Sequence, residues 1–194
     1  AGKSVFYCAH NGATAMLETK PFKGDILYLT KWAVASNRNV LVMNFLPVDI
    51  PNTNPFFTSA KRLFDQQIAF HDINGGQKGQ HLKAVSSFVS QSFVNEKEPY
   101  HLTSWLADRA LHENNGVDVL VYPSIPRKFV SCNFVIHPDF VDSFLQLKTV
   151  FKLHVSYCDG EILRYNLLET GDHVNGEVIW REPTDDDERL LPGK

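Results

Sequence analysis

Two side chains near the start of the chain have the types and spacing to work together. Ser4-Val5-Phe6-Tyr7-Cys8-Ala9 is rich in β-branched and aromatic residues and reads as a short strand that ends about Tyr7. Asn11-Gly12 is a turn signal. Ala13 to Glu18 is a run of good helix formers, with Asn11 or Thr14 available as its cap. A strand entering a helix across so tight a turn brings Tyr7 and Glu18 into one cleft. A carboxylate that follows Ala15-Met16-Leu17 is expected to be partly desolvated, which would hold it against sugar hydroxyls or cationic groups. On their own, an aromatic in a strand and a glutamate at a helix end are commonplace.

A second stretch adds weight. Asp118-Val119-Leu120-Val121-Tyr122-Pro123-Ser124 is a short, buried type of strand that stops at Pro123 and sets Ser124 on the following loop. Ser124 reads as a hydrogen-bond donor to a ligand; the plainer reading is a turn residue capping that loop. As a nucleophile it lacks the Gly-x-Ser-x-Gly elbow that exposes a hydrolase serine. Tyr122 reads as core.

Taken together, the two stretches resemble the RES domain family, named after an arginine, a glutamate and a serine. Its Tyr strand and Thr-Ala-x-x-Glu helix correspond to Phe6-Tyr7 and Thr14-Ala15-Met16-Leu17-Glu18. Its Asp-Gly-Ile-x-Tyr-Pro-Ser strand corresponds to Asp118–Ser124, and Cys132-Asn133-Phe134 is similar to the strand after it. The likeness runs from about Lys3 to Phe144. It implies an enzyme that consumes NAD as its substrate by cleaving the nicotinamide–ribose bond. The acceptor would be phosphate, water or a protein. It also implies an α+β fold with a mixed, split sheet like that of the ADP-ribosyltransferases. Glu18 would stabilise the oxocarbenium-like ribose and grip its hydroxyls. Tyr7 would stack on nicotinamide, Ser124 would meet the ribose or amide, and Asn133 would line the pocket. Many members of the family are toxins held by a helix-turn-helix antitoxin, which makes such a protein the expected partner. The rival readings are a catalytically silent nucleotide- or protein-binding module on the same fold, and an esterase built on Ser124.

The family's arginine lies upstream of the Tyr strand, in a Gly-Arg-x-Asn loop, whereas the sequence here opens at Ala1-Gly2-Lys3 and has no arginine before Arg38. The expectation is that the natural protein begins further upstream, and that this stretch alone is a weak or inactive catalyst. Arg38, Arg62, Arg109 and Arg127 are the candidates to replace that group, and spacing selects none of them.

Composition narrows the classes. The chain has 194 residues, is 43% hydrophobic and carries a net charge of −3, without the basic excess of a nucleic-acid binder. No apolar run is long enough to span a bilayer. Cys8, Cys132 and Cys158 are odd in number and far apart, which reads as reduced cytoplasmic thiols. Eight histidines include no His-Glu-x-x-His and no cluster with cysteine, so no metal is expected. Asp72–Gly79 holds Gly75, Gly76, Lys78 and Gly79 but follows a helix and matches no phosphate-binding pattern, so it reads as a surface loop.

Strands are expected at 25–32, 39–45, 118–123, 129–137, 149–157, 161–165 and 176–180, with helices at 56–70, 82–94, 102–112 and 138–145. The third of these helices should turn Leu102, Trp105, Leu106 and Ala110 inward, and Trp32, Trp105 and Trp180 should be core. Asp159-Gly160 is read as the best hairpin signal, through a type I′ turn. Strands at both ends and helices inserted in the middle argue α+β. The reading is one domain over residues 1–182 and a solvated, disordered acidic tail over 183–194.

Overall fold

A computed structural model describes residues 4–35, 37–46, 50–73, 78–97, 99–113 and 116–191. The expectations at Ala1–Lys3 and Gly75-Gly76 fall outside the described residues. The chain is mixed α/β, with two four-stranded sheets. Where the sequence reads as one domain, the chain gathers into two compact units, residues 1–7 with 40–137, and residues 8–39 with 138–194.

The sheet of the first unit, to which all but Cys8 and Ala9 of its residues belong, has the order β1 (Phe6–Ala9), β5 (Cys132–Ile136), β4 (Val119–Pro123) and β3 (Val42–Asn44). β3 runs parallel to β4 and β4 antiparallel to β5. Helices α2 (Phe57–Ile73), α3 (Lys78–Asn95) and α4 (His101–His112) lie between β3 and β4 in the chain. Leu111 of α4 packs with Leu120 and Val135 of the sheet, flanked by Ala107, Ala110 and Tyr122. α4 therefore buries Thr103, Ala107, Ala110 and Leu111, spaced for one helical face. That corrects the inward stripe expected through Trp105. Trp105 is 54% exposed, with the Arg109 guanidinium 5.4 Å from its ring centroid. A large ring at i and a cation at i+4 satisfy each other on the solvent side. Beyond α4, a Cβ on Gly116 would sit 2.2 Å from the Leu111 carbonyl oxygen, so the return toward β4 needs a residue without one.

The second unit holds an antiparallel sheet in the order β2 (Ile26–Val34), β6 (Leu145–Cys158), β7 (Leu163–Val174) and β8 (Glu177–Arg181). Met16 of α1 (Gly12–Glu18), Phe151, Leu153, Tyr165 and Leu191 form its core. α5 (Pro138–Phe144) leads into β6. The Asp159-Gly160 hairpin forms, but not as a type I′ turn. Asp159 to Ile162 make a four-residue loop in which Gly160 takes φ 92° and Asp159 Oδ1 accepts from the Glu161 and Ile162 amides. Both-positive φ belongs instead to Asn175 (51°) and Gly176 (88°), the two-residue turn joining β7 to β8. β7 runs well past the expected Tyr165. Trp180 is 40% exposed against Tyr28 rather than core, their rings 6.1 Å apart at 65°.

The expected disordered tail holds a helix, α6 (Asp185–Leu190). Thr184 and Asp187 form a reciprocal capping box, and Arg181 binds Asp187 through Nη1 at 2.5 Å and Nη2 at 3.0 Å. An acidic first turn suits a helix N-terminus, where amides and dipole favour negative charge. A run of acids therefore became a helix rather than a solvated strand of charge.

Candidate functional site

Each expected site residue is set by local chemistry. Asn11 caps α1: its Oδ1 accepts from the Thr14 amide and the Thr14 hydroxyl, both at 3.0 Å. Of the two candidate caps, Asn11 is the one used, and Thr14 is fully buried beneath it. Glu18 is the last residue of α1, half-buried directly after the buried Met16 and Leu17. It belongs to the second unit, and Tyr7, Ser124 and Asn133 belong to the first.

Within the first unit the structure brings three of the named residues onto one patch of the sheet. Tyr122 on β4 stands directly opposite Asn133 on β5, and opposed residues of an antiparallel pair project to the same side. The Tyr7 ring meets the Tyr122 ring at 6.1 Å between centroids, tilted by 55°. Tyr122 in turn meets Phe93, which stacks on Phe45 at 4.7 Å. Tyr7 is 50% exposed. Asn133 is buried beside it.

Ser124 has no exposed surface. Its amide donates to the Ser131 carbonyl at 2.9 Å and its carbonyl accepts from the Phe129 amide at 3.0 Å. These bonds close a loop from Ser124 to Ser131, so the turn role of Ser124 is present in the backbone. The loop also explains why β5 begins at Cys132 instead of the expected Phe129. Lys128 (φ 47°) and Phe129 (φ 67°) are both left-handed, which no strand accommodates. Two such non-glycine residues in succession cost stability unless something holds them.

Sequence reasoning missed what holds them. Asn54 is 2% exposed, and its Nδ2 donates to the Phe129 carbonyl at 2.7 Å, with Cys132 Sγ at 3.2 Å. Its Oδ1 accepts from the Phe56 amide at 2.9 Å. Asn54 thus ties the start of α2 to the loop. The local signal was Asn54-Pro55, a turn-initiating pair, but its partner lies 75 residues away. Burial pushes the Cys132 thiol up in pKa, and that of Cys8 up to about 11, so neither is a ready nucleophile. No group of histidine, cysteine and carboxylate side chains suited to a metal ion occurs among the described residues. No helix among them is long and apolar enough to cross a membrane. A cavity of about 540 Å³ in the same unit is apolar, lined by Phe45, Leu46, Phe64, Leu82 and Val89 among others, and includes none of the expected site residues.

With the two motifs and their settings in view, the family model of the RES domain matches residues 1–157. The chain belongs to the RES domain family. The match spans Tyr7, Glu18, Ser124 and Asn133 and extends past the Phe144 limit read from the motifs. No curated protein and no solved structure matches the chain. Membership in the RES family ties the chain, at family level, to NAD-related, toxin-like function.

Proposed function

We propose that this RES domain protein cleaves the bond between nicotinamide and ribose in NAD, passing the ADP-ribose moiety to phosphate, water or a protein side chain. The observation that carries the reading is the family match over residues 1–157, which takes in both motif stretches at once. In this proposal the chain has the fold of the ADP-ribosyltransferases. Nicotinamide departs as a neutral group and leaves positive charge on the ribose. Glu18, half-buried at the end of α1, answers that charge and holds the ribose hydroxyls. The half-exposed Tyr7 ring stacks on nicotinamide. Asn133 lines the pocket, and Ser124, fully buried, closes the loop that precedes β5. The protein acts in the cytoplasm as a toxin, and a helix-turn-helix antitoxin restrains it.

The full burial and backbone role of Ser124 favour the second reading, a silent nucleotide- or protein-binding module, and they remove the exposed nucleophile an esterase would require. Nicotinamide release from NAD separates these readings. In an active form of the protein the expected result is nicotinamide release that falls about a hundred- to a thousand-fold in Glu18→Gln, with the melting temperature unchanged. NAD binding without any nicotinamide release would leave the silent module standing.

A further inference from the structure

The diphosphate of a dinucleotide needs a cation, and the first unit contains three arginines: Arg62, Arg109 and Arg127. Arg109 is engaged, paired with Glu113 and lying over Trp105. Arg62 stands exposed on α2 beside the Lys61–Asp65 ion pair. Arg127 differs from both. It sits in the loop that Ser124 closes, three residues beyond Ser124. Its Nε is buried and has no hydrogen-bond partner among the described residues, while the residue as a whole is partly exposed. A buried guanidinium nitrogen left unsatisfied is costly, because it forfeits water without a replacement acceptor. Its backbone is held by the Val130 amide donating to the Arg127 carbonyl at 3.0 Å, by the bonds of Ser124, and by Asn54 on Phe129. A rigid, left-handed loop thus presents an uncommitted five-donor fork next to the serine of the family motif.

We propose that Arg127 is the anion anchor of this protein, binding the diphosphate of the dinucleotide through a bidentate pair of N–H donors. The identification of the ligand rests on the NAD reading above; the anchoring of a diphosphate does not. A planar fork matches two phosphate oxygens, and a lysine in the same place supplies charge without that geometry.

The test is calorimetric titration of the full chain and its variants with three probes: NAD, inorganic pyrophosphate and nicotinamide riboside, which has no diphosphate. Arg127→Gln should weaken NAD and pyrophosphate by about 10- to 100-fold and leave nicotinamide riboside unchanged. Arg127→Lys should recover part of that loss. Equal affinity of wild type and Arg127→Gln for NAD and pyrophosphate would overturn the anchor and leave the NAD reading intact. Pyrophosphate binding that depends on Arg127, without binding of NAD, would support the anchor and overturn the NAD reading. Failure of the wild type to bind pyrophosphate would overturn the anchor. Should Arg127→Gln not fold, Arg127→Lys decides, since wild-type affinity in that variant excludes a bidentate fork.

Discussion

The two sheets solve the problem of order differently. In the second unit the strands β2, β6 and β7 span 9, 14 and 12 residues, and β6, β7 and β8 follow one another through two hairpins. Long ladders between chain neighbours specify themselves, with Phe151, Leu153 and Tyr165 filling one face. In the first unit the strands are 3 to 5 residues long, and β1 and β3 join β5 and β4 only across large sequence separations. That sheet is tied by side chains reaching distant backbone. Asp118 Oδ2 accepts from the Leu41 amide at 2.8 Å, the Ser90 hydroxyl donates to the Leu46 carbonyl at 3.2 Å, and Asn54 holds the loop after Ser124. Of the proposed site residues, Tyr7 and Asn133 lie in the sheet with the side-chain ties, and Ser124 directly follows its strand β4. Positioning there depends on a few polar bonds, so single substitutions should separate function from stability more cleanly than in the long-stranded sheet.

The largest effect expected outside the proposed chemistry is in the long-stranded sheet. Phe151 is 2% exposed among Met16, Leu153 and Tyr165. Phe151→Ala should cost about 3–5 kcal/mol through lost burial and a cavity. Denaturant unfolding followed by Trp fluorescence would show it, and a loss under about 1 kcal/mol would mean that this core tolerates collapse and does not rest on packing.

Asn54→Ala is the corresponding break in the other sheet. It removes the donor to the Phe129 carbonyl and the acceptor for the Phe56 amide, at a cost of about 1–3 kcal/mol. The sharper readout is ligand affinity. If the loop presents Arg127, pyrophosphate binding should fall about tenfold even under conditions where the variant remains folded. Unchanged affinity in a destabilised variant would make Asn54 a structural tie alone.

The same contrast explains what was legible in the sequence. Tyr7, Glu18 and Ser124 stand out because each belongs to a short motif read along the chain, and the strands and helices follow from local periodicity. Asn54 is not legible as a support, since a side chain bonded to backbone 75 residues away leaves no local pattern; Arg127 stands among four candidate arginines that spacing does not separate. The face of α4 was misread because an apolar count includes Trp105, and only the neighbouring Arg109 shows why that ring stays in solvent. β7 was cut short at Tyr165 because the stretch Glu169-Thr170-Gly171-Asp172 breaks the apolar alternation, although Thr170 and Gly171 are buried in the ladder. The tail was misread because its capping box uses Asp187 in place of the usual glutamate or glutamine.

The smallest expected effect uses pH to tell the two regions apart. Asp187 is 6% exposed and accepts from Arg181, from the Thr184 amide at 2.8 Å and from the Thr184 hydroxyl at 2.8 Å. The Arg181 guanidinium, ahead of the Thr184 bonds, holds this carboxyl well below the usual aspartate range. A carboxylate whose folded pKa is depressed contributes stability that is complete above the unfolded value, about 4, and is lost as pH falls through the folded one. Protection factors of the α6 amides should therefore be flat from pH 7 to about pH 4 and decline below it. In Asp187→Asn they should be lower at neutral pH and lack that decline. The loop from Ser124 to Ser131 is held by an amide side chain and backbone groups, which do not titrate there. Its protection should stay level over the range in which α6 loses its own. A wild-type α6 insensitive to acid would mean that the helix is held by Leu191 and its core contacts, with the Arg181–Asp187 pair contributing nothing measurable.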